Sequence, residues 1–176
     1  YEIGILPKGT NHAWNAVKIN NKWQLVDATW ATGYTMNNKW EKSFNDYYFY
    51  PKPSQLIRSH YPENITWQLL KKTISIKKYA NQPIIGQGFV STNYELISPK
   101  NGIIKSKKGK KIYFKIKNLH QKDLVSYSFK GQRYASRITV VSNNSIGHFS
   151  IDLKKNSKTE LYIFINNGII LEYKIK

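Results

Sequence analysis

His12 and Asp27 are the two residues whose types and positions could do chemistry together. A carboxylate beside an imidazole fixes its tautomer and stabilises the imidazolium, as a general base requires. Whether they meet depends on the backbone between them. Residues 12–19 and 22–27 are rich in Val, Ile, Leu and Trp, and Asn20-Asn21 separates them. Asn tolerates positive φ, which a two-residue type I′ turn demands at both central positions. A hairpin with Ile19 opposite Lys22 would set Trp14 against Asp27 and His12 against Thr29. His12, Trp14, Ala16, Leu25 and Asp27 then share one face. His12 and Asp27 become diagonal neighbours at roughly 7–8 Å, within reach once their side chains lean together. A one-residue slip would put them on opposite faces, and the same spacing also describes a polar pair merely satisfied inside a core.

Other candidates carry less. Trp14 and Trp30 are placed to line a cleft, whereas Trp23, Trp40 and Trp67 are expected in the core. His60 reads as a packing or hydrogen-bonding residue, and His120 and His148 have no carboxylate-rich cluster around them. No metal or cofactor site is expected. The chain has 0 Cys, which excludes disulfides, thiolate zinc sites and a cysteine nucleophile from these residues.

The elements that must hold these residues fall into two regions. Residues 1–72 contain all 5 Trp, the hairpin and a short helix over 55–58, with Ser54 as N-cap and Pro62 as terminator. Residues 73–92, with Asn81-Gln82-Pro83, Gly86 and Gly88, read as a linker. Residues 93–176 alternate in short runs: 94–98, 102–106, 111–117, 124–130, 137–142, 146–153, 160–165 and 169–175. Asn166-Asn167-Gly168 signals a hairpin between the last two, and Lys107 to Lys111 reads as a solvated turn. Such spacing predicts an immunoglobulin-like β-sandwich without its disulfide, with Tyr113, Phe129, Phe149, Tyr162 and Phe164 in the core.

Composition sets the outer limits. A length of 176 residues suits one large or two small domains, and 40% hydrophobic residues suffice for a packed core. No run approaches the ~18 apolar residues of a membrane-spanning helix. Lys+Arg number 28 against 10 Asp+Glu, a net +18, yet only Arg58, Arg133 and Arg137 are arginines. Phosphate and base recognition leans on arginine forks, so the charge reads as compositional bias and no specific nucleic acid is expected. Beginning at Tyr1, the chain is expected to be cut from a longer polypeptide or to follow a removed leader.

The motifs also resemble a family. Asn11-His12-Ala13-Trp14-Asn15-Ala16-Val17-Lys18-Ile19, Lys22-Trp23 and Leu25-Val26-Asp27-Ala28-Thr29-Trp30 are similar to the His and Asp motifs of the transglutaminase-like superfamily, in particular its kyphoscoliosis-peptidase-like branch. Asp46-Tyr47-Tyr48-Phe49, residues 53–57, His60-Tyr61-Pro62 and Trp67-Gln68-Leu69-Leu70 resemble the segment that closes the core domain. The resemblance implies an α+β, papain/transglutaminase-like core, present in part, before the sandwich. It implies a Cys-His-Asp triad acting on amide bonds of a protein or peptide substrate, with His12 as base and acid, Asp27 as its orienter and the Cys upstream of Tyr1. Separately from the resemblance, a bacterial protein, secreted or of the cell envelope, is expected. The alternatives are a catalytically inactive scaffold of the same fold and a basic β-module that binds an acidic polymer.

Overall fold

The computed structural model describes residues 2–6, 12–86, 89, 92–105, 107, 109–153 and 158–176. The chain divides into two compact units, Pro7–Tyr79 and a second made of Tyr1–Leu6 with Ala80–Lys176.

In the first unit, β1 (Asn15–Ile19) and β2 (Lys22–Val26) form the expected hairpin, with Ile19 opposite Lys22 and Asn15 opposite Val26. Asn20 and Asn21 take φ of 46° and 64°, the values a type I′ turn needs. The pairing stops there. Asp27 leaves the strand to become the N-cap of α1 (Ala28–Thr32), so Thr29 lies in a helix and does not face His12. Asp is among the best N-cap residues because its carboxylate accepts from the unpaired N–H groups of the first turn. A second Asn-Asn turn, at Asn37 and Asn38, joins β3 (Gly33–Met36) to β4 (Lys39–Lys42). Gly33 is required by proximity: a Cβ there would lie 2.3 Å from the Glu41 carbonyl oxygen and 2.7 Å from the Trp40 ring.

A 3-10 turn at Asp46–Tyr48 then returns to the end of β2. Phe49 bridges Val26, and the Tyr48 carbonyl accepts from the Asp27 N–H at 3.0 Å. α2 (Pro53–Leu56) starts two residues earlier than expected, with Lys52 rather than Ser54 at the cap. Pro53 takes the first helical position, where its missing N–H costs nothing, and Gln55 Oε1 accepts from the Lys52 N–H at 3.2 Å. Farther on, a 3-10 turn at Ile65–Gln68 lets the buried Gln68 amide bond both the N–H and the carbonyl of Ile74. α3 (Ile76–Ala80) follows. The unit's core is Leu25, Ala31, Tyr48 and Leu56, with Trp14, Ala16, Tyr47 and Leu69 packed against it. Trp23, Trp40 and Trp67, expected in the core, are exposed. Trp23 and Trp67 meet edge to face at 5.1 Å on the outer surface.

The second unit is a β-sandwich. Its strands are β5 (Ile84–Ile85), β6 (Glu95–Ser98), β7 (Ile103–Ile104), β8 (Lys111–Lys117), β9 (Val125–Phe129), β10 (Ser136–Ile138), β11 (Val141–Asn143), β12 (Ile146–Asp152), β13 (Thr159–Ile165) and β14 (Gly168–Ile175). One sheet runs β10-β9-β13-β14-β5, with β7 parallel to β14, and the other runs β11-β12-β8-β6. Taken from β6, the second sheet has the A-B-E-D order of an immunoglobulin domain, and β9-β13-β14 is the C-F-G order. Helix α3 and strand β5 occupy part of the segment read as a linker, and β5 is hydrogen-bonded to β14. The single run expected over 137–142 is two strands, because the chain crosses at Thr139-Val140 from the edge of one sheet to the edge of the other. Part of the expected turn from Lys107 to Lys111, and Ser106 of the run before it, lie outside the described residues; the Lys110 N–H does bond the Lys107 carbonyl.

The core between the sheets is mostly aliphatic, with Phe114 and Tyr173 fully buried in it. Ile112, Phe114 and Ile116 of β8 meet Leu161, Ile163 and Ile165 of β13 and Leu171, Tyr173 and Ile175 of β14. Of the aromatic residues expected there, Phe149 is buried, Phe129 packs against the margin, and Tyr162 and Phe164 are half-buried. Tyr113 is 66% exposed, since it shares its face of β8 with Lys111, Lys115 and Lys117.

Candidate functional site

The end of the first hairpin, the cap of α1 and the turn after α2 bring three side chains together. Asp27 Oδ2 lies 2.6 Å from His12 Nε2 and 2.8 Å from His60 Nε2, and Asp27 Oδ1 accepts from the Trp30 N–H at 3.0 Å. The side chains of Asp27 and His60 are 0% and 1% exposed, and that of His12 is 27% exposed. Burial by itself would push the Asp27 carboxyl up. The Trp30 N–H and the hydrogen bonds of His12 and His60 outweigh it and hold the carboxyl below the usual range. Burial lowers the His60 pKa, against the opposing pull of Asp27, so this ring is neutral near pH 7.

The direction of the bonds follows from the carboxylate. An ionised carboxylate only accepts, so both imidazoles present Nε2–H to it. Nδ1 of the neutral His60 then accepts a hydrogen bond from the Ser59 hydroxyl, across 2.7 Å. In its neutral form His12 then has Nδ1 as its lone-pair nitrogen, on the one side chain of the three that is partly open. Nδ1 of His12 has no hydrogen-bond partner among the described residues.

Aromatic rings pack around this network. Trp30 stacks on His12 at 5.0 Å and meets His60 edge to face at 4.7 Å, and Trp14 meets His60 edge to face at 5.1 Å. They exclude water from the buried end, where low local dielectric strengthens charge-assisted hydrogen bonds. The two imidazole nitrogens and the carboxylate oxygen also lie within 4.8 Å of one another, a donor set a divalent cation could use. Ligation would require both imidazoles to carry their proton at Nδ1, the tautomer opposite to the one that bonds the carboxylate.

Comparison with known proteins gives this cluster a context. No protein-family model matches the chain. Kyphoscoliosis peptidase of Homo sapiens is 34% identical over 102 residues, covering 57% of this chain and 15% of that protein, and its Mus musculus counterpart matches to the same extent. Lim and transglutaminase domain protein ltd-1 of Caenorhabditis elegans is 24% identical over 100 residues, covering 51% of this chain and 14% of that protein. The matched residues, just over half of the chain, are similar to transglutaminase-like proteins. They span about 15% of the length of the first of those relatives. Among solved structures, a titin I27 domain mutant matches at a TM-score of 0.32 and 15% identity, over 48% of this chain and 90% of that one.

Of the residues singled out from the sequence, His12, Asp27, Trp14 and Trp30 all meet at this site. The contact between His12 and Asp27 is direct, closer than the diagonal of a continued hairpin, because the helix cap turns the carboxylate inward. His60 was not expected as a member. The only sign of it was its place in the His60-Tyr61-Pro62 motif, which carries no spacing relation to His12 or Asp27.

The buried pair has a consequence for stability. His60 binds its proton less readily in the folded unit than in the unfolded chain, so acid favours unfolding. Stability is expected to fall as pH drops below about 6.5, with a limiting slope of about 1.4 kcal/mol per pH unit for one proton. Asp27, lowered in the folded state, extends the loss as pH falls below about 4. All five tryptophans lie between residues 14 and 67, so tryptophan fluorescence reports on this unit alone. Its urea midpoint should fall between pH 7.5 and 5.5 in the native chain and fall less in His60→Gln. Equal slopes in the two chains would show that His60 is not the group responsible.

Proposed function

We propose that His12 and Asp27 are the base and its orienter in a Cys-His-Asp site that breaks or exchanges protein amide bonds, with the thiol supplied by polypeptide outside these residues. The observation that carries this reading is the 2.6 Å bond from His12 Nε2 to Asp27 Oδ2, which leaves Nδ1 as the nitrogen able to accept a proton. The likeness to proteins named kyphoscoliosis peptidase favours that branch and a peptidase chemistry over the wider superfamily.

The steps follow from the tautomer. The thiol proton passes to His12 Nδ1, and Asp27 stabilises the imidazolium. The thiolate attacks the amide carbonyl, and the tetrahedral oxyanion collapses as Nδ1–H protonates the leaving amine. The resulting thioester is opened by water, which gives its proton to Nδ1, or by a second amine, which gives a cross-link. Trp14 and Trp30 shield the imidazoles and slow their exchange with bulk water.

The test uses the gene product extended upstream through the first cysteine predicted to open a helix. That cysteine should react with iodoacetamide at neutral pH faster than a free thiol, since His12 stabilises the thiolate. His12→Ala should remove this enhancement and lower amide turnover by about 10³-fold or more. An upstream sequence with no such cysteine, or a thiol whose reactivity ignores His12→Ala, would leave the inactive scaffold as the better reading.

A further inference from the structure

We propose that His60 is a positioning residue of this site, a second imidazole that clamps Asp27 so that His12 is held in the tautomer with Nδ1 unprotonated. The consequence for catalysis rests on the function proposed above; the clamp itself does not.

The geometry of Asp27 is the starting point. Its Oδ1 is tied to the Trp30 N–H, which fixes one oxygen and leaves the carboxylate plane free to swing the other. Oδ2 is caught between two imidazoles, at 2.6 Å from His12 and 2.8 Å from His60. Of the two, His12 is partly open and has to move charge and protons. His60 is the fixed one. Its backbone N–H bonds the Leu56 carbonyl at 2.9 Å, its Nδ1 accepts from the Ser59 hydroxyl, and the Ser59 carbonyl accepts from Tyr79 Oη at 2.8 Å. The rings of Trp14, Trp30 and Tyr48 surround it within about 5–6 Å.

Every proton in this chain points one way: Ser59 Oγ–H to His60, then His60 Nε2–H to Asp27. A carboxylate held in this manner has Oδ2 fixed in place as the acceptor for His12 Nε2–H. Without His60 the carboxylate gains freedom to rotate, and His12 gains access to its Nδ1–H form, in which the nitrogen facing a thiol is already protonated.

The test separates a clamp from a filler. His60→Phe keeps a ring in the aromatic box but removes the donor. His60→Gln gives up the ring and keeps an N–H at about the position of Nε2. Nitrogen-15 shifts of the imidazoles, read by two-bond proton–nitrogen correlation on this 176-residue chain near pH 7.5, report each tautomer directly. In the native chain both His12 and His60 should be Nε2–H. His12 should become a tautomer mixture in His60→Phe and return to Nε2–H in His60→Gln. A native His60 in the Nδ1–H form overturns the clamp at once, even if His60→Phe does not fold. A folded His60→Phe chain in which His12 stays Nε2–H overturns it as well.

The longer, thiol-bearing chain supplies the catalytic arm. There His60→Phe should lower kcat about 10- to 100-fold with KM unchanged, the expected cost of a misplaced group. An unchanged kcat would refute the clamp's role in turnover. A native chain without activity, yet with the predicted tautomers, would refute the hydrolase reading and leave the clamp standing.

Discussion

Asp27→Asn is expected to lower amide turnover of the thiol-bearing protein by about 10³–10⁴-fold while leaving the unit folded. The reason is a conflict of donors. The asparagine oxygen is needed by the Trp30 N–H, which sits 3.0 Å from Oδ1. The amide NH2 must then occupy the place of Oδ2, facing two Nε2–H groups at hydrogen-bond distance. Donor against donor is untenable in a buried site, so both imidazoles must move their proton to Nδ1. His60 can do so, because Ser59 Oγ accepts from Nδ1–H and turns its own proton to the Leu56 carbonyl, 3.4 Å away. The unit therefore tolerates the change, at about 1–3 kcal/mol for the charge-assisted bonds lost. His12 can also do so, but then the nitrogen that must take the thiol proton already carries one. Tautomers read by nitrogen-15 shifts, with kcat measured alongside, check both halves. Turnover within threefold of native would mean that Asp27 does not orient the base.

How far this site could be read from the residues alone follows from where its parts lie. Asn20-Asn21 fixed the hairpin register, because two consecutive positive φ angles leave a two-residue loop little choice. That register put His12, Trp14 and Asp27 on one side, and they do meet. The same signal at Asn37-Asn38 marks β3 and β4, a hairpin that was not expected. What failed was the end of β2. Asp27 reads as the last residue of an apolar run, yet an Asp followed by Ala-Thr-Trp-Ala is equally a helix cap, and the cap wins because it satisfies the Trp30 N–H. His60 was beyond reach, since it arrives from a separate element 33 residues away and no local period links it to Asp27.

In the sandwich the strands were legible and their inward faces less so. Period-two alternation marks β8, β12, β13 and β14 almost to the residue, and β10 and β11 merge because one alternating run can cross between sheets. Choosing core residues by aromatic size rather than by phase selected Tyr113. The phase of Lys111, Lys115 and Lys117 puts it outside, with Ile112, Phe114 and Ile116 inside. Lysine has the strongest reason to stay in water, so it is the better guide to which face is wet.

Phe114→Ala is expected to destabilise the sandwich by about 3–5 kcal/mol, the usual range for a buried phenylalanine. The ring stacks on Phe149 at 4.7 Å and 6° within its own sheet and meets Tyr173 of the other sheet edge to face at 5.5 Å. Removing it opens a cavity at the junction of the two sheets. Collapse is resisted because Tyr173 is held by its hydroxyl, which donates to the Pro99 carbonyl at 2.9 Å. With no disulfide between the sheets, nothing covalent offsets the loss. Domains of this size have about 5–15 kcal/mol in total, so a large part of the sandwich's stability rests on this ring. Tyr113→Ala, one residue away, should stay within about 0.5 kcal/mol of native. Tryptophan fluorescence is blind to this unit, since no Trp follows residue 67, and far-UV circular dichroism in urea is the readout. A larger loss for Tyr113→Ala than for Phe114→Ala would mean that β8 presents its other face to the core.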